Sequence, residues 1–103
     1  MRQFDPIAPE ETVTLTLDFT ADLESGETLT GPATVVISVA SGTDSSVATR
    51  LNGAASIIGN YVLQSIMGCL AGVNYNIVAS CKTSLNRVLA IGGRLDCVPA
   101  YLQ

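Results

Sequence analysis

From Thr12 to Thr20 the chain alternates with a period of two. Val13, Leu15, Leu17 and Phe19 fall on one side; Thr12, Thr14, Thr16, Asp18 and Thr20 fall on the other. Successive strand side chains point to opposite faces, so this pattern predicts a half-buried β-strand. Residues 21–32 (ADLESGETLTGP) hold two glycines, a proline and three acids and read as a connecting loop. Ala33–Ser41 predicts a second strand with Val35, Ile37 and Val39 inward. The cluster SGTDSS reads as a turn, and Val47–Leu51 as a short third strand. Asn52-Gly53 marks another turn. Ala54–Ile58 and Tyr61–Met67 flank Gly59-Asn60, where glycine in the first central position fits a two-residue type II′ hairpin.

The alternation resumes with Tyr75, Ile77, Ala79 and Cys81 on one side. Asn74, Asn76, Ser80 and Lys82 lie on the other, with Val78 the exception. After a turn at Ser84-Leu85-Asn86, a last strand is expected from about Arg87 to Val98. Leu89, Ile91, Leu95 and Cys97 would face inward, and Arg94 and Asp96 outward. Gly92-Gly93 in its middle suggests a bulge or a close backbone approach. The chain thus predicts about seven short strands at intervals of roughly ten residues, with no sustained helical period. A single sheet would leave the Val35/Ile37/Val39 and Leu89/Ile91/Leu95 faces wet. The expected fold class is therefore an all-β antiparallel sandwich spanning residues 12–103.

Residues 1–11 form a separate extended N-terminal arm in this reading. Pro6 and Pro9 forbid a helix, and Glu10 and Glu11 keep it solvated. The arm is either a loose terminus or a segment that orders against a neighbour. Deleting residues 1–10 is accordingly expected to leave the sandwich folded and to weaken assembly.

Composition narrows the choice of function. Hydrophobic residues make up 48% of the 103 positions and charged ones only 14%, which suits one packed domain. With a net charge of −4 and five basic residues, the chain lacks the basic footprint a nucleic-acid binder needs. Eight of the nine acids lie between Asp5 and Asp44, and four of the five basic residues between Arg50 and Arg94. This split reads either as two solvated faces or as acidic and basic surfaces meeting head to tail between copies. The N-terminus has no apolar run of a secretory leader, and no apolar stretch is long enough for a membrane span. The odd cysteine count (Cys69, Cys81, Cys97) is a poor disulfide framework. Three free, mostly buried thiols in a reducing cytoplasm are expected.

The stretch LAGVNYNIVAS, residues 70–80, carries the most specific local motif. Leu70, Gly72 and Tyr75 fit the order of a tyrosine corner, in which a tyrosine near the start of the penultimate strand bonds the backbone a few residues upstream. Losing that hydroxyl is expected to cost on the order of 1–2 kcal/mol. The other reading is an ordinary core tyrosine. The motif resembles the corner of fibronectin type III domains. A wider set runs in one order over residues 4–98: FDP, a first strand ending in Asp18-Phe19, SGETLTG, the Gly59-Asn60 hairpin, LAGVNYNIVASCKTS and a terminal strand. It resembles the small bacteriophage fiber-tail adaptor proteins. That resemblance implies an Ig-like structural virion protein, a homo-oligomer contacting phage tail, neck or fiber proteins. Phe19 stands where the family tends to have tryptophan, and the last strand carries less charge than is usual. A related neck or tail decoration therefore stays open beside the adaptor.

Candidate chemistry is sparse. Without histidine, Ser/His/Asp and Cys/His nucleophile systems and histidine metal sites are excluded. Asp22, Glu24 and Glu27 offer oxygens for a weak Ca²⁺ site but read as a solvated acidic loop. Gly92-Gly93 is not followed by a lysine and a helix, so it is no phosphate loop. Cys81 and Cys97 lie on inferred core faces and read as structural. No catalytic, metal or cofactor residue is assigned. The expectation is a non-enzymatic virion module without cofactor, nucleic-acid or membrane partner. The alternative is a free Ig-like module binding a glycan or a host surface protein.

Overall fold

The computed structural model describes residues 2–103 and is built from strands joined by turns. In chain order the strands are β1 (Arg2–Gln3), β2 (Thr12–Asp18), β3 (Leu29–Ser41), β4 (Ser56–Ile58), β5 (Tyr61–Met67), β6 (Asn74–Thr83) and β7 (Val88–Asp96). They form two layers. One sheet runs β1-β7-β6-β3 and the other β2-β5-β4. All pairings are antiparallel except the two-residue β1, which lies parallel to β7. Apart from β1, each layer has three antiparallel strands, and together they make the expected all-β sandwich.

The core lies between the layers and follows the period-two pattern. Leu15, Leu17 and Phe19 from β2 and its end meet Val62 and Ile66 of β5. The opposite layer supplies Ile37, Tyr75, Ile77, Ala79 and Leu95. Burying a side chain such as Leu17 or Ile77 contributes about 1.5–3 kcal/mol. Gln64 sits fully inside among these groups, and its amide is satisfied by the carbonyls of Gly53 and Ser65 at 3.0 and 2.9 Å.

Several local expectations change. Val47–Leu51 is not a strand: Val47–Arg50 winds as a 3₁₀ turn, and only Leu51 makes an isolated bridge, to Ile66. The cause is turn chemistry. Asp44 Oδ1 accepts the Ser46 N–H at 3.0 Å, and the Ser46 carbonyl accepts the Thr49 N–H at 2.9 Å. The coil brings Arg50 back over Asp44. The second strand begins at Leu29 rather than Ala33, and its ladder shifts register across Gly31-Pro32. Gly92-Gly93 makes no bulge, because the β6–β7 register runs unbroken from Asn74↔Asp96 to Lys82↔Val88. The Gly59-Asn60 hairpin is present, with Ile58 opposite Tyr61 and φ of +59° at Gly59.

The N-terminal segment is extended, yet it packs on its own domain. Phe4 and Ile7 donate N–H bonds to the carbonyls of Arg94 and Asp96, and Val98 returns one to Ile7. Ile7 is 4% and Ala8 1% exposed. Two of the three cysteines are not free thiols. Cys69 and Cys97 form a disulfide between the loop entering β6 and the end of β7, and Cys81 alone stays free and buried. The odd count hid the pair because one cysteine is a core side chain.

The cross-link closes a loop of 28 residues' separation. Replacing both cysteines, Cys69→Ala with Cys97→Ala, is expected to lower stability by about 2–4 kcal/mol. Urea unfolding of the oxidised wild type against the double variant measures it. Deleting residues 1–10 now carries an added expectation: removing buried Ile7 and Ala8 lowers the melting temperature sharply, as a thermal melt of the truncated chain would measure.

Candidate functional site

The residues singled out by sequence meet where β6 begins. Tyr75 is fully buried, and its hydroxyl accepts the Leu70 N–H at 3.1 Å. The Leu70 carbonyl accepts the Val73 N–H at 3.1 Å, closing a turn. Gly72 occupies its third position with φ of +82°, which a side chain would strain. Gly72 N–H also reaches the Cys97 carbonyl at 3.0 Å. Leu70 does not anchor the loop with its side chain, which is 41% exposed. Its backbone does the anchoring, through both its N–H and its carbonyl.

The hydroxyl has a second partner that the motif did not indicate. It donates to Asp44 Oδ2 at 2.8 Å. Arg50 grips the same carboxylate, Nε to Oδ2 at 2.8 Å and Nη2 to Oδ1 at 3.0 Å. With the Ser46 N–H, the buried carboxylate accepts four hydrogen bonds. The Arg50 guanidinium, then the Tyr75 hydroxyl and the Ser46 N–H, outweigh burial and hold the Asp44 carboxyl down at about 2. Burial pushes the Tyr75 hydroxyl up, so it stays a donor.

A second arrangement of the same kind closes the other end of β6. Glu27 is buried and accepts from Arg87 Nε at 2.9 Å, from Arg87 Nη2, from the Thr83 hydroxyl and from the Glu24 N–H at 2.8 Å. Arg87 Nη2 also donates to the Asp22 carbonyl at 3.1 Å. Chiefly through Arg87, the Glu27 carboxyl is lowered to about 2. Thus β6 is tied at its start through Tyr75 and at its last residue through Thr83. In each case a hydroxyl meets a buried carboxylate that an arginine neutralises.

The chemical consequence is restrictive. A group holding a proton only near pH 2 is poorly matched to acid–base work near neutrality. Glu27 is held by Arg87, which Glu24 and Asp22 also attract, so these acids are arranged about a cation that belongs to the chain. Among the described residues no group of three or more His, Cys, Asp or Glu side chains is placed to hold a metal ion. Two of the eight acids between Asp5 and Asp44 meet an arginine of the basic stretch within the chain. Arg50 and Arg87 pair with Asp44 and Glu27, and Arg94 lies 3.8 Å from Asp96.

Comparison with protein-family models, with characterised proteins and with solved structures finds no match.

Sequence reasoning found the tyrosine and missed its carboxylate. Asp44 lies in the SGTDSS turn cluster, and a strand over Val47–Leu51 gives no sign that Arg50 returns to it. Glu27 reads as a loop acid, although its spacing of three from Glu24 lets its carboxylate reach back to the Glu24 N–H and close a turn.

Tyr75→Phe removes a hydrogen bond to a buried charge as well as one from the backbone. The expected loss is about 1.5–3 kcal/mol, above the estimate for a neutral contact, and chemical denaturation of the variant measures it. Acid should destabilise the fold through both carboxylates. Their folded values lie below the ordinary 4.5 and 3.8. Their contribution is therefore complete above about pH 4.5 and declines as pH falls towards about 2. Thermal melts from pH 7 to pH 2 should show this acid limb, and Asp44→Asn should flatten part of it while lowering stability at pH 7.

Proposed function

We propose that the chain is a non-enzymatic structural module of a bacteriophage particle, an Ig-like adaptor joining tail fibers to the tail or neck. The observation that carries the reading is how its ionisable groups are used. The two buried carboxylates are each committed to an arginine and a hydroxyl that hold loops onto β6, so the chemistry serves rigidity and leaves surface as the working part. Strand order favours the Ig-like label. If β2 to β7 are lettered B to G, the layers are B-E-D and C-F-G, with a short first strand beside G. The corner hydroxyl at the start of β6 fits the same label. The ordered motifs over residues 4–98 favour the phage family. The disulfide suits a protein that ends in an oxidising setting, as released particles do.

In this reading the partners are other copies of the chain and tail, neck or fiber proteins, and the working location is the virion. No described helix is long and apolar enough to cross a membrane. The glycan- or host-binding alternative receives less support. The exposed tyrosines, Tyr61 at the start of β5 and Tyr101 beyond β7, lie towards opposite ends of the sandwich and form no shared stacking surface.

A tagged copy expressed during infection should band with purified particles on a density gradient at fixed stoichiometry. Recovery only in the soluble fraction would remove the virion reading and bring the host-directed module forward.

A further inference from the structure

The four sheet edges are not equally protected. β1 has two residues and β4 three. On β3, Pro32 and two register shifts interrupt the ladder. β2 is different: seven residues long, in unbroken register with β5, with no lysine, proline or bulge. Natural edges usually carry such protection, and its absence marks a strand able to take a partner.

The direction of its free backbone groups follows from the ladder. Phe19 N–H donates to the Asn60 carbonyl at 2.9 Å, one pair beyond Asp18↔Tyr61. Ser65, opposite Thr14, turns its carbonyl to the Asn52 N–H at 2.9 Å, away from β2. In an antiparallel ladder bonded and non-bonded pairs alternate, so Val13, Leu15 and Leu17 bond β5. Thr12, Thr14 and Thr16 therefore point their N–H and carbonyl groups to the open side.

Beside that edge lies a groove of about 290 Å³. Among the described residues, the N-terminal segment pairs with β7 and not with β2. Phe4, Pro6 and Ile7 line one wall, and Val13 and Leu15 the other. Two exposed acids, Asp5 and Glu11, also line it.

We propose that β2 accepts an extended segment of another protein, antiparallel to it, with alternate apolar side chains in the groove and basic residues against Asp5 and Glu11. Backbone bonds would supply affinity and the groove and acids selectivity. Charge decides against a second copy. Residues 10–20 hold no lysine or arginine, so a second β2 brings no basic residue to Asp5 and Glu11 and adds Glu10 and Glu11 of its own. The proposal deepens the reading of the chain as an assembly module and rests on it for where such a segment would come from. Its test uses purified protein alone, so its failure leaves the particle experiment untouched, and the converse holds.

The probe is a synthetic heptapeptide, Lys-Val-Thr-Val-Thr-Val-Lys with blocked ends, titrated into isotope-labelled protein. Amide shifts and slowed hydrogen exchange are expected at Thr12, Thr14 and Thr16. Thr14→Pro removes a donor only on the open side, so the protein should fold while affinity drops roughly tenfold or more. Neutralising the acids, Asp5→Asn with Glu11→Gln, should weaken binding and make it less sensitive to salt. Should Thr14→Pro fail to fold, exchange at the three amides of the unsubstituted protein decides. Absence of protection there, or protection at another edge, overturns the proposal. Self-association that Thr14→Pro abolishes would replace the basic segment with a second copy and overturn the assignment of the occupant.

Discussion

The hydroxyl of Tyr75 stands between a backbone donor and a buried carboxylate, and most of the fold's order at that end depends on it. A buried, ionised aspartate would cost several kcal/mol if it stood alone. Arg50 neutralises it, the Ser46 N–H satisfies one oxygen, and the tyrosine turns the pair into a link to β6. The link fixes three pieces of chain that share no sheet pairing: the coil at Val47–Arg50, the turn at Leu70–Val73 and the first residues of β6. Glu27, Arg87 and Thr83 repeat the solution where β6 ends. A strand central to one layer is thereby held at both ends by side chains as well as along its length by neighbours.

Close approach makes this possible at one glycine in particular. A side chain at Gly42, where φ is +91°, would begin 3.2 Å from the Cα of Val73. The end of β3 can therefore lie against the corner and deliver Asp44 to Tyr75. This is a constraint on the backbone that no pattern of apolar residues encodes.

What could be read from the chain in advance follows from the physics of each feature. The alternation in Thr12–Asp18 and Asn74–Thr83 is local, and it located strands and their inward faces correctly. The Gly59-Asn60 hairpin and the turn before Arg87 are also local, each fixed by residues that tolerate positive φ. Legibility failed where distant partners decide. Val47–Leu51 reads as a short strand, but Asp44 recruits Arg50 and winds it. Cys69 and Cys97 become neighbours only after β6 and β7 have paired. Ile7 looks like part of a solvated arm until β7 offers it an edge. The corner was half legible for the same reason: Leu70, Gly72 and Tyr75 lie within one turn of chain, whereas Asp44 lies 31 residues away.

The parallel contact between β1 and β7 has a mechanical meaning. A pull entering ahead of Arg2 and leaving beyond Asp96 runs along both strands in opposite senses. The bonds from Phe4 to Arg94 and from Ile7 to Asp96 lie across that line, so they are loaded together in shear instead of opening one after another. The Cys69–Cys97 bond sits at the far end of the same seam and passes load from β7 to the chain entering β6. A module strung between two larger bodies would thus meet tension with a whole row of contacts at once.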